Sequence, residues 1–117
     1  MKQEPIIINV QNIINSQFCI DAEDGQKIYE MVHKALDEKK YVILSFKDIK
    51  LLITAFLNTA IGQLYKDFSS DEIETYLSKI DFDPIFIPTW EKVVNGAPIY
   101  YSNPKKFESD ISEIMED

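Results

Sequence analysis

Few residues of this chain have the types and spacing that chemistry needs. Its one histidine, His33, would have to serve any Ser-His-Asp arrangement. It lies inside a helical pattern, and no Gly-x-Ser-x-Gly elbow supplies a nucleophile, so His33 reads as a surface histidine. The single cysteine, Cys19, has no partner for an internal disulfide, and one cysteine with one histidine falls short of a structural zinc set. Cys19 alternates with Phe18 and Ile20 and reads as a small packed side chain. Asp81 and Asp83 form a carboxylate pair in "DFD", but they flank a strand end and a helix cap, and a divalent cation wants more clustered oxygens. The three glycines, Gly25, Gly62 and Gly96, are too far apart for a phosphate-cradling loop. No catalytic residue, cofactor or metal follows from the sequence, and an enzyme is the weaker class.

The remaining signal is "LLITAFLNTAIGQLY", Leu51 to Tyr65, which carries no charge until Lys66. A β-branched lead-in, Ile53-Thr54, hands over to an amphipathic helix. Thr54 reads as its N-cap, a position that favours a hydroxyl acceptor for a first-turn amide. Phe56, Leu57, Ala60, Ile61, Leu64 and Phe68 fall on one helical face and predict core. Asn58, Thr59 and Gln63 read as the solvated face. Their lack of charge favours a contact surface, since interface cores are depleted in charge. Asn58, Thr59 and Gln63 are therefore candidates for a partner surface.

Short elements must position that helix. "PIIINV" and "SQFCI" are β-rich and flank the turn residues Asn12, Asn15 and Ser16, which predicts a β-hairpin. In "DAEDGQKIYEMVHKALDEKK", Ile28, Met31, Val32, Ala35 and Leu36 share one helical face. Asp21 caps that helix, and Lys39-Lys40 suit its C-terminal dipole. Gly25 costs it roughly 1 kcal/mol against alanine. "YVILSF", Tyr41 to Phe46, is almost continuously apolar and predicts a central strand covered on both faces. A further helix starts at Ser69 or Ser70, with Asp71 and Glu72 in its first turn. "KIDF" predicts a short edge strand. A last helix starts at Asp83-Pro84 or near Thr89, and Gly96 and Pro98 end it. Trp90, Tyr100 and Tyr101 suit either exposed anchors or, as small domains more often use them, core.

The chain of 117 residues is 45% hydrophobic and 27% charged, enough for one domain with a proper core. Its net charge of −8 argues against nucleic acid or an anionic membrane as partner. No apolar run reaches the roughly 18 residues of a membrane span, and no signal-peptide pattern opens the chain, so the expected setting is the cytoplasm. The domain is expected over 1–105, followed by an acidic tail at 106–117. The element order predicts an α/β fold with a mixed sheet of about four strands and helices packed largely on one face.

The segments "DAEDGQKIYEMVHKAL", "YVILSF", "TAFLNTAIGQLY" and "IETYLSKIDF" together resemble the STAS-like domain of unknown function, small prokaryotic relatives of the anti-sigma-factor antagonists. The resemblance covers roughly Ile7 to Tyr101. It rests on Gly25, Phe46, Thr54-Ala55-Phe56-Leu57-Asn58 and Gly62-Gln63-Leu64-Tyr65. It implies a STAS-like sandwich that docks on a protein partner, such as a histidine-kinase-like ATPase. In phosphorylated antagonists a serine at this helix start accepts phosphate, within Asp-Ser-Ser-Gly or a close variant, and the helix face forms the partner surface, so the resemblance adds Thr54 and Ala55 to Asn58, Thr59 and Gln63 as the candidate partner surface. Here Ala55 stands at that position, the preceding acidic residue is absent, and Phe56 replaces the glycine. Ser45-Phe46 likewise stands where the family often has Asp-Phe. Phospho-switching is then lost or moved to Thr54, the one candidate phosphoacceptor.

The expectation is a non-enzymatic regulatory protein-interaction module that docks through the start of the Thr54 helix. The alternatives are a small-ligand or nucleotide-binding module that uses the same helix N-terminus, and an uncharacterised enzyme.

Overall fold

The structure, a computed structural model, describes residues 4–102; the expected tail at 106–117 and the boundary at 105 lie outside them. The apolar run does form the central strand. β3 (Val42–Ser45) lies between β1 (Ile6–Asn9) and β5 (Leu77–Ile80) in a three-stranded sheet of order β1-β3-β5. Both pairings are parallel, with Leu44 opposite Ile8 on one side and Lys79 on the other. β2 (Phe18–Cys19) and β4 (Leu51–Leu52) form a separate two-stranded parallel sheet. The expected single mixed sheet of about four strands is thus replaced by two small parallel ones.

The expected N-terminal hairpin does not form, because the segment between the two strands folds into a short helix bounded by Asn9 and Asn15. The Asn9 side chain accepts a hydrogen bond from the Asn12 amide at 2.9 Å and so caps α1 (Val10–Ile14). Asn15 closes the helix in the left-handed region at φ 55°, which asparagine tolerates. Val10 and Ile14, four residues apart, both face the core. β1 and β2 are thereby separated, and each pairs with a later strand.

α2 (Ala22–Asp37) buries Gly25, Ile28, Val32, Ala35 and Leu36. Met31, expected on that face, falls just outside the arc and is 39% exposed. Asp21 occupies the N-cap position but makes no side-chain capping bond; Glu23 and Asp24 supply the favourable first-turn charge. Gly25 has a packing reason. A Cβ there would stand 2.8 Å from the Phe56 carbonyl oxygen and 3.1 Å from the Thr59 Cβ.

α3 (Thr54–Ala60) is shorter than its apolar pattern implies, because the chain tightens into a 3₁₀ turn over Gly62–Lys66. Phe56, Leu57, Ala60, Ile61 and Leu64 are nevertheless all buried, with Phe68 packed beside them. α4 (Ser70–Tyr76) starts with a full capping box: the Ser69 hydroxyl accepts from the Glu72 amide, and the Glu72 carboxylate accepts from the Ser69 amide, both at 3.1 Å. The edge strand follows at once, two residues earlier than "KIDF" suggested. Asp83 caps a 3₁₀ turn at Pro84–Phe86 by accepting from the Ile85 amide. α5 (Ile87–Ser102) continues through both Gly96 and Pro98, which were expected to end it. Val93 and Ala97 are buried on the side facing α3, and that packing outweighs one missing ladder bond. Trp90 is half-buried and packs edge-on against Phe82 and Phe46. One continuous core joins β1 and β3 to α2, α3, α4 and α5.

Candidate functional site

The strand-to-helix handover before α3 is made by Ile53, not by a capping side chain. Ile53 is extended (φ −109°, ψ 160°), its amide donates to the Cys19 carbonyl at 3.1 Å, and Thr54 is already the first helical residue. No side chain caps this helix, so the expected Thr54 cap is corrected. The sheet bond to Cys19 holds the entry in place of a cap.

The five candidate surface residues divide between two stripes at a spacing of four. Ala55, Thr59 and Gln63 form one, on the side of α2. The Thr59 hydroxyl donates to the Ala55 carbonyl at 3.2 Å, and the Gln63 amide nitrogen donates to the Thr59 carbonyl at 2.8 Å and to the Gln26 side chain at 3.0 Å. Thr59 and Gln63 thus spend their polar groups inside the domain. Thr54 and Asn58 form the other stripe with Gly62 and line a groove shared with α5. Ala55 itself is exposed at the helix start.

Beside that start lies a feature that the sequence reading did not find. In β2 and β4, Phe18 pairs with Leu51 and Cys19 with Leu52. Cys19 and Leu52 are buried, so their neighbours project outward together. Phe18, Ile20, Leu51 and Ile53 are 48%, 43%, 44% and 37% exposed, a contiguous apolar face that runs into Thr54 and Ala55. The alternation around Cys19 was visible in the sequence. The parallel partner that sets a second pair of side chains beside it was not, because pairing between residues some thirty positions apart has no local signature.

Other candidate groups have defined places. Burial, reinforced by the Asp24 charge, pushes the Cys19 thiol up to about 12, so it stays protonated and unreactive. His33 Nε2 lies 3.0 Å from Asp67 Oδ2, with the ring between those of Tyr29 and Phe68 at 5.4 and 5.0 Å. It joins α2 to the segment before α4, so it is more than a plain surface histidine. Ser45, buried at the end of β3, donates to Asp81 at 3.4 Å. Lys79 rests over Trp90 at 4.4 Å and Phe82 at 5.2 Å, and burial lowers its pKa. Among the described residues no group of three or more His, Cys, Asp or Glu side chains is placed to hold a metal ion. No helix among them is long and apolar enough to cross a membrane.

Fold and surface together define a small α/β domain with parallel strands and an exposed apolar sheet face at a helix start. The family model for the STAS-like domain of unknown function (DUF4325) matches residues 24–84, more than half of the chain, and the protein belongs to that family. No curated protein and no solved structure matches it in the parallel comparisons.

Proposed function

We propose that this protein is a non-enzymatic regulatory module that works in the cytoplasm by docking on a protein partner, such as a histidine-kinase-like ATPase, through the start of α3. Family membership supports a regulatory or binding role in general. The observation that carries the docking surface is the exposed face of Phe18, Ile20, Leu51 and Ile53, continuous with Thr54 and Ala55. Apolar groups clustered at a surface mark interaction sites more often than scattered ones do. In this reading Thr54 is the residue through which the contact is regulated. A phosphate there would add a dianion at the positive end of α3, which the helix tolerates, beside a face that must be desolvated on docking.

The test has two stages. Partners are captured from native cells with the wild-type protein, and the same mass spectra report on Thr54 phosphorylation. Affinity for the captured partner is then measured by calorimetry for Ile53→Glu, Thr54→Glu and Thr54→Ser, with melting curves alongside. Thr54→Ser should bind as wild type. Each glutamate variant should lose about a hundredfold, because an unpaired interfacial charge costs a few kcal/mol. Wild-type affinity in both glutamate variants would overturn the reading.

A further inference from the structure

The groove between α3 and α5 has a volume of about 610 Å³, within the range of small-molecule sites. Its floor is made of small residues, Gly62 and Ala97 with Val93 between them, and Tyr100 and Tyr101 stand at one end with ring centroids 4.6 Å apart. Three polar side chains also line it: Thr54, Asn58 and Lys92. Among the described residues none of the three makes a side-chain hydrogen bond or ion pair, in contrast to Thr59 and Gln63 one helical position away.

The charge of the lining narrows the occupant. The chain carries a net charge of −8, yet among the described residues no carboxylate lines this groove, and Lys92 is the one ionised group that does. Glu91, the adjacent residue, lines the separate pocket of Lys79 and Trp90. A lysine without a counter-ion among the described residues, in one groove with a hydroxyl, an amide, small apolar side chains and two tyrosines, suits a ligand with one anionic end and a flat apolar body. We infer that the α3–α5 groove is a binding site for a small organic acid with an aromatic body, its carboxylate held by Lys92 and the polar atoms of Thr54 and Asn58. The groove shares Thr54 with the proposed docking surface, but the apolar residues of that surface, Phe18, Ile20, Leu51 and Ile53, lie outside its lining.

The glycines supply the experiment. Gly96 lines the groove, and a Cβ there meets nothing among the described residues within 4 Å, so side chains of increasing size can be introduced at its edge. Naphthoate, with neutral naphthamide as its control, is titrated into isotope-labelled protein and amide shifts are followed by NMR to about 5 mM, the weak end of specific binding. Naphthoate should move Asn58, Gly62 and Gly96 and bind more tightly than naphthamide. Lys92→Gln should weaken naphthoate by about two- to fivefold, as expected for an exposed ion pair, and leave naphthamide unchanged. Gly96→Trp should abolish both, and Gly96→Leu should weaken both, while Gly96→Ala should retain them; the spectrum of each free variant reports its fold. The inference is overturned if naphthoate produces no saturable shifts, if the shifts map to Phe18, Ile20, Leu51 and Ile53, if Gly96→Trp binds as wild type, or if naphthoate and naphthamide respond alike to Lys92→Gln.

Discussion

Two glycines in helices should respond to the same substitution with opposite signs. Alanine at Gly25 gains roughly 1 kcal/mol of helix propensity. Its methyl group would nonetheless stand 2.8 Å from the Phe56 carbonyl oxygen, a backbone atom that no rotamer change can move, and 3.4 Å from the Ala60 nitrogen. Relief requires α2 and α3 to separate until the oxygen reaches ordinary contact, which begins near 3.4 Å. A gap of that order forfeits a quarter or more of each dispersion contact it opens. The side chains on this seam, Ile28, Val32, Phe56 and Leu57, are essentially fully buried. Overpacking costs about 1–3 kcal/mol, and a clash with a backbone atom that cannot yield belongs in the upper half of that range, about 2–3 kcal/mol, so Gly25→Ala should be destabilised by a net of about 1–2 kcal/mol. For a domain of this size that lowers Tm by roughly 5–15 °C. At Gly96 the same methyl group meets open space, and Gly96→Ala should stabilise by about 0.5–1 kcal/mol. Thermal and urea unfolding followed by circular dichroism measure both. A Gly25→Ala variant as stable as wild type would refute the close α2–α3 approach. It would also remove the structural reason for a glycine in the first turn of α2.

The core makes further demands. Leu57→Ala and Ile61→Ala, each at a side chain no more than 1% exposed, should cost about 2–5 kcal/mol in urea unfolding. The amides of Val42 to Leu44 should be among the slowest to exchange with deuterium, since β3 is paired on both sides. Cys19 should resist thiol reagents until the protein unfolds. Its pKa in the folded state lies above the ordinary 9.0, so its contribution is fully present below pH 9 and is lost as the pH rises toward 12. Tyr29, Tyr65 and Tyr101, each raised first by burial, act in the same direction. The urea midpoint should therefore fall above pH 9, and Cys19→Ala should flatten that fall.

Legibility differed sharply between levels. Elements with a strong period were visible: the continuous apolar run of β3, the stripe of α2, and the Ser69 and Asp83 caps, because each is decided by residues within one or two turns. Pairing was not. Asn12, Asn15 and Ser16 suit a hairpin turn as well as the body and C-terminal end of a short helix, and the choice is made by β3, which takes β1 as its parallel neighbour. The end of α5 was misplaced for a related reason. Gly96 and Pro98 are local breakers, and the burial of Val93 and Ala97 overrides them. Met31 was assigned to the core because a stripe read from spacing has no sharp edge, and only the packed neighbour defines one.

The charge-free run from Leu51 to Tyr65 now has several causes along its length, and this changes what it says about function. Leu52, Phe56, Leu57, Ala60, Ile61, Gly62 and Leu64 lack charge because they are buried, and Tyr65 packs against the core. Thr59 and Gln63 lack it because they bond across and along the α2 seam, where a full charge would need a partner that the seam does not provide. Thr54 and Asn58 face the α5 groove. None of those positions requires an external protein to explain its neutrality. The residues left over are Leu51, Ile53 and Ala55, which are exposed and apolar without any internal reason. Together with Phe18 and Ile20 they leave the argument for a protein contact resting on the outer face of β2 and β4. The neutrality of Thr59 and Gln63 is accounted for within the domain, and that of Asn58 goes with the α5 groove that it lines.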